Sequence, residues 1–138
     1  MMDVFVWLAI LLLVLLSGIH VYWTFGGTWG VNGAVPRKVN SDAPAFVPRK
    51  AETIVVALLL LAGAGLLFVQ ANYTSVMAQN ALTQRGSIIV GIVFILRTIG
   101  DFKYMGLFKK VKGSTFATND TLIYNPLCLF LGIIFILV

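Results

Sequence analysis

Four apolar runs, each close to the length of a bilayer-crossing helix, decide what this chain can be. Val4 to Phe25 and Thr53 to Ala71 contain no Lys, Arg, Asp or Glu. A helix rises about 1.5 Å per residue, so roughly 20 residues cross about 30 Å of hydrocarbon. A third run, about 85–104, reaches that length only by including Arg97 and Asp101, and a fourth extends from Thr121 to Val138. Only 11% of the 138 residues are charged and 59% are hydrophobic. Soluble domains carry about 25% charged residues, so this chain cannot cover its own surface, and lipid must be its solvent.

The predicted fold is therefore all-α: an integral membrane four-helix bundle with up-down topology. It forms a single transmembrane domain, 1–138, with helices over about 4–25, 53–71, 85–104 and 121–138. Pro126 would leave a helix of only thirteen residues if it began there. A start near Thr121 with local distortion around Asn125-Pro126 is expected instead, because proline bends a helix interior. The first helix is read as uncleaved, since no positive segment precedes its apolar run.

Lys and Arg are distributed unevenly. The loop over about 26–52 holds Arg37, Lys38, Arg49 and Lys50, and the loop over about 105–120 with its approach holds Lys103, Lys109, Lys110 and Lys112. The opposite side holds only Arg85. Eight against one orients both loops to the cytoplasm and both termini outward. Basic residues that serve a site would weaken this argument. The same pattern explains the net charge of +5 by contact with anionic lipid headgroups, and nucleic acid is not an expected partner. The lone Cys128 can form neither an internal disulfide nor a dithiol redox pair.

Polar residues collect where helices one and three end and where two and four begin. Ser17, His20, Tyr22, Trp23 and Thr24 close the first helix; Glu52 opens the second; Arg97, Asp101, Lys103 and Tyr104 close the third; Asp120, Tyr124 and Asn125 open the fourth. An up-down bundle brings these ends together at one membrane face, beneath a long Gly- and Pro-rich first loop that contains Trp29. Arg97 is the sharpest of them. A charge near mid-bilayer costs about 2.5–3.5 kcal/mol on insertion scales, so it needs a partner. Asp101, four residues on, would share its helix face. Arg97 is then either half of a structural ion pair or a binder of phosphate or carboxylate, whose oxygens suit its fork.

His20 is either a hydrogen-bonded structural residue or an acid–base group. Haem ligation would need a second ligand that the sequence does not offer. Glu52 suits the helix dipole in a first turn, and Asp120 suits a cap. With Asp101 these two could hold a cation, but no metal-ligand spacing links them, and no metal site is expected. No motif specifies a cofactor.

Two blocks of residues carry a resemblance. One is Ser17-Gly18-Ile19-His20-Val21-Tyr22-Trp23 with Gly26-Gly27-Thr28-Trp29-Gly30 and Ala34-Val35-Pro36. The other is Arg97-Thr98-Ile99-Gly100-Asp101-Phe102-Lys103-Tyr104 with Gly106, Phe108-Lys109, Phe116-Ala117 and Asp120, closed by Tyr124-Asn125-Pro126-Leu127-Cys128. Together they resemble a bacterial family of small four-helix membrane proteins, domain of unknown function 3995. The resemblance covers nearly the whole chain. It implies the fold class and a bacterial inner membrane, and it implies no activity.

The leading functional expectation is a binding protein or enzyme for a lipid or lipophilic small molecule. His20, Asp101 and Glu52 are the candidate catalytic residues. Arg97, Tyr104, Trp23, Trp29, Tyr22, Asp120 and Tyr124 are the candidate binding residues. Membrane lipids are the expected partners, and a homo-oligomer is compatible with the pattern. The alternatives are a small transporter or channel subunit working as a dimer, or an assembly partner without catalysis.

Overall fold

The computed structural model describes residues 1–138. The chain is all-helical, with α1 (Met2–Thr24), a short α2 (Val31–Ala34), α3 (Lys50–Gln70), α4 (Ala81–Ile99), α5 (Thr115–Asn119) and α6 (Asn125–Leu137). A π-turn, Asp120–Tyr124, joins α5 to α6 into one rod, Thr115–Leu137. Four helices are thus long and apolar enough to cross a membrane: α1, α3, α4 and this rod. They form an up-down four-helix bundle in which α1 packs along α3 and α4 along the rod.

The core is thin. Val6, Ala9, Leu13, Ala64, Leu67, Leu131, Ile134 and Phe135 form its buried cluster. Small residues let the helices close on it. A Cβ on Gly91 would lie 2.9 Å from the Gly132 carbonyl oxygen, and one on Gly132 would lie 3.0 Å from that of Gly91. The α4 and α6 backbones therefore touch, as membrane helices do when glycines face each other. Ser17 donates to the Ala57 carbonyl at 2.7 Å and Ser87 to that of Phe135 at 2.6 Å, which fastens each helix pair with a buried bond. Outside, Leu8, Leu11, Leu58, Leu59, Ile89 and Val93 are exposed on the helix faces. A soluble monomer does not present such a belt, and the chain is a multi-pass membrane protein.

Three helix ends differ from the sequence expectation. Helix three was expected over about 85–104, but α4 runs from Ala81 to Ile99. It starts early because Asn80 caps it, accepting from Leu82 N–H at 2.9 Å and Thr83 N–H at 3.1 Å. It stops early because Gly100 adopts φ +85°, a conformation that ends an α-helix. Helix four was expected from Thr121, but the rod begins at Thr115, capped by Ser114 Oγ. The expected distortion sits just before Pro126, as the π-turn. Asn125 N–H reaches back five residues to the Asp120 carbonyl, and this wider turn relieves the clash a proline ring makes with the preceding turn.

Candidate functional site

Asp120 is the node of the polar end. It is fully buried, and its carboxylate collects four donors. Arg97 Nη2 donates to Oδ1 at 2.8 Å. Gly106 N–H donates to Oδ2 at 2.8 Å and Asn125 Nδ2 at 3.3 Å. Lys109 Nζ lies 3.2 Å from Oδ2 and also donates to the Gly106 carbonyl and to Thr121 Oγ1. Two cations thus share one carboxylate. Arg97 Nη1 and Asn125 Oδ1, both buried, have no protein partner.

This arrangement corrects the expected pairing of Arg97 with Asp101. The i,i+4 argument required a continuous helix, and Gly100 ends it between the two. Asp101 is exposed, and its Oδ1 accepts from the N–H groups of Lys103, Tyr104 and Met105 at 2.9, 2.8 and 3.1 Å. Desolvation pushes its carboxyl pKa up, but these backbone donors outweigh that and hold it below its ordinary value. Asp101 thereby curls the chain into a tight loop. Gly100 and Gly106 close its neck: a Cβ on Gly106 would come within 2.2 Å of the Ile99 carbonyl oxygen. Tyr104 is half-buried in this loop under Lys103, whose Nζ lies 5.0 Å from the ring centroid.

Loop one is fastened at two places. Near α1, Trp23 Nε1 donates to the Trp29 carbonyl at 2.8 Å, and Trp29 N–H donates to Tyr22 Oη at 3.2 Å. Farther on, the Gly33 carbonyl in α2 accepts from Tyr124 Oη at 2.6 Å and Asn119 Nδ2 at 3.4 Å. The π-turn therefore touches both loops: Tyr124 holds loop one, between α1 and α3, and Asp120 holds loop three, the segment 100–114 between α4 and α5.

The three candidate catalytic residues are not brought together. His20 Nδ1 bonds the Leu16 carbonyl of its own helix at 2.7 Å. A carbonyl only accepts, so the ring proton of this bond sits on Nδ1. Its ring meets Trp23 edge-on at 5.1 Å. Glu52 caps α3, accepting from Arg49 N–H at 3.3 Å, and is exposed. No hydrogen bond joins any two of His20, Asp101 and Glu52, and Glu52, Asp101 and Asp120 do not form a metal-binding group. Of the candidate binding residues, Arg97 and Asp120 pair directly, and Tyr124 is next to them in the rod. Tyr22, Trp23 and Trp29 form a separate loop clasp.

Sequence reasoning missed Lys109, Gly106, Thr121 and Asn125 as a set around Asp120, and Gly33 as the tie to loop one. Lys109 had been counted as an orientation charge, yet it is buried.

An open cleft at this end lies elsewhere, between loops one and three. It measures about 820 Å³ and is lined from loop one by Arg37, Lys38 and Asp42, and from loop three by Lys103, Lys110 and Lys112. Five basic side chains face one carboxylate. Arg37 is braced by the Asp42 carbonyl and by Asn32 Oδ1, both at 2.8 Å. The others have no hydrogen bond that spends their charge.

Fold and site together define a small polytopic membrane protein whose four spans support one polar, basic end. More particularly, the chain belongs to the family described as protein of unknown function (DUF3995), which matches residues 13–135. That stretch takes in both sequence blocks and the whole Asp120 cluster. No curated protein and no solved structure matches the chain.

Proposed function

We propose that this protein binds the anionic headgroup of a lipid or lipophilic molecule in the cleft between loops one and three. The observation that carries the reading is the imbalance of five basic side chains against Asp42 in an open cleft of about 820 Å³. That volume falls in the usual range for ligand sites. Each Lys or Arg near an anionic surface contributes about 1 kcal/mol of attraction. The cleft includes Phe102 and Lys103, which follow α4 closely in the chain, so a headgroup bound there lies near the end of a membrane-spanning helix.

The basic loops orient this end toward the cytoplasm of a bacterial inner membrane. Lys109 is spent on Asp120, which leaves seven basic residues against Arg85 and the same orientation. A C-terminal reporter that is active only outside the membrane checks this.

For binding, the purified protein in neutral detergent is titrated with phosphatidylglycerol and, separately, with phosphatidylcholine. Thermal unfolding should shift upward with the anionic lipid alone. Replacing Lys103, Lys110 and Lys112 together with Gln should abolish the shift. Equal shifts from both lipids would end the proposal.

A further inference from the structure

The cleft has two walls, and each wall is held by a different residue of the same π-turn. Loop one reaches the cleft through Arg37 and Lys38, four and five residues after Gly33. The Gly33 carbonyl is the acceptor for Tyr124 Oη. Loop three reaches it through Lys103 on one side and Lys110 and Lys112 on the other. Between them, Gly106 and Lys109 are bound to Asp120. Lys110 and Val111 N–H both bond the Lys103 carbonyl, at 2.9 and 2.8 Å, so the two arms of loop three move as one piece. Cationic side chains on opposite walls repel each other, and the walls keep their spacing because both loops are fastened to the rod: loop one by Tyr124 and Asn119 at Gly33 and by the burial of Val35 and Pro36, loop three by Asp120.

Loop one brings Arg37 and Lys38 with Asp42, a net charge of +1, and loop three brings Lys103, Lys110 and Lys112, so a ligand with one negative charge that engages one wall leaves positive charge on the other. From this we infer that the cleft takes a headgroup bearing at least two phosphate-type charges, one against each wall, with Tyr124 and Asp120 as positioning residues that set the span. The inference rests on the headgroup-binding proposal above and names its ligand class. A soluble diphosphate shares this chemistry, so the source is decided by the test.

The full-length protein in neutral detergent is titrated with phosphatidylglycerol, with diphosphatidylglycerol and with inorganic pyrophosphate, and affinity is read by thermal shift and by retention in native mass spectrometry. Diphosphatidylglycerol should bind at least about tenfold more tightly than phosphatidylglycerol. Lys38→Gln on one wall and Lys112→Gln on the other should each weaken the two-phosphate lipid by about fivefold and narrow its advantage. Tyr124→Phe leaves every cation in place. It should reduce the two-phosphate to one-phosphate ratio, an outcome that a general loss of stability, which weakens both ligands alike, would not give.

Equal affinity for the two anionic lipids, both above phosphatidylcholine, would overturn this inference and leave headgroup binding standing. No preference for either anionic lipid over phosphatidylcholine would overturn headgroup binding itself. Tight pyrophosphate binding without lipid binding would keep the two-charge site and assign it to a soluble anion. A Tyr124→Phe protein with an unaltered ratio would remove the positioning role.

Discussion

Replacing Asp120 with Asn tests the node on which the polar end is built. The side chain is fully buried, and it accepts from Arg97, Lys109, Gly106 N–H and Asn125. The amide keeps the shape, but it removes the only counter-charge of two cations and turns one acceptor into a donor facing donors. Lys109 has 5% of its side chain exposed and cannot turn to water without moving loop three. Arg97, at 27%, recovers part of its hydration, so its share is smaller. Breaking a buried pair by removing one partner costs about 3–5 kcal/mol, and that is the loss expected for Asp120→Asn. Lys109→Met in the same protein removes one orphaned cation, so the double variant should cost less than the two single losses added, by about 0.5–3 kcal/mol. Denaturant titration in micelles, followed by far-UV circular dichroism and by the tryptophans, measures both. A loss under about 1 kcal/mol for Asp120→Asn, or strict additivity in the double variant, would refute the claim that these charges share one desolvated site.

Other outcomes follow from the same geometry. Gly106 and Gly113 have nearly equal φ, +92° and +91°, but a Cβ on Gly113 meets nothing within 4 Å. Gly113→Ala should therefore cost only the left-handed penalty of about 1–2 kcal/mol, and Gly106→Ala should cost more or fail to fold; equal costs would remove the closed-neck account of loop three. Tyr124→Phe deletes one partly buried bond, at about 0.5–1.5 kcal/mol, and hydrogen exchange should speed up over residues 31–35; unchanged protection there would show that Gly33 is held by something else. The Asp101 pKa is lowered in the fold, so its contribution is present above its ordinary value of 3.8 and is lost as pH falls through the lower folded value. Acid titration of Asp101→Asn should accordingly be flatter than wild type below about pH 3.8, and identical acid limbs would contradict the role of its three backbone donors.

The bundle was legible because hydrophobic length is a one-dimensional property: runs such as Val4 to Phe25 can be read without knowing what they touch. Arg97 does have a partner, but the depth argued from the sequence does not hold: α4 ends at Ile99, so Arg97 lies in its last turn, and the burial that demands the pair is that of Asp120. The identity of that partner was not legible. Asp101 looked like a neighbour only on an unbroken helix, and the break depends on the φ of Gly100, which lies in a conformation the residue type permits but does not require. Lys109 looked like a solvated loop charge because its burial depends on the path of loop three. The tie from Tyr124 to Gly33 joins residues 91 apart in sequence, and no local pattern announces such a bond. Pro126 did announce a distortion, but not that the distortion would be a π-turn aiming Asp120 inward.

The charged cluster follows from the place where α4 stops. Non-helical backbone next to the hydrocarbon is tolerated only if its polar groups are satisfied within the protein. Ending the helix at Gly100 freed the N–H groups of residues 103–106. Asp101 satisfies three of them from inside the loop, and it cannot reach the fourth. Gly106 N–H is met by Asp120 from the neighbouring rod. A carboxylate placed there is itself desolvated and needs positive charge, which Arg97 supplies from the helix and Lys109 from the loop. Four conspicuous charged residues are therefore accounted for: Asp101 and Asp120 by the backbone N–H groups they accept from, and Arg97 and Lys109 by the charge of Asp120. Arg37 is held by bonds of its own, but Lys38, Lys103, Lys110 and Lys112 answer no such need. Lys103 lies over the Tyr104 ring, and the four lysines share the cleft with Asp42 as its one carboxylate; that charge imbalance is what the headgroup-binding proposal rests on.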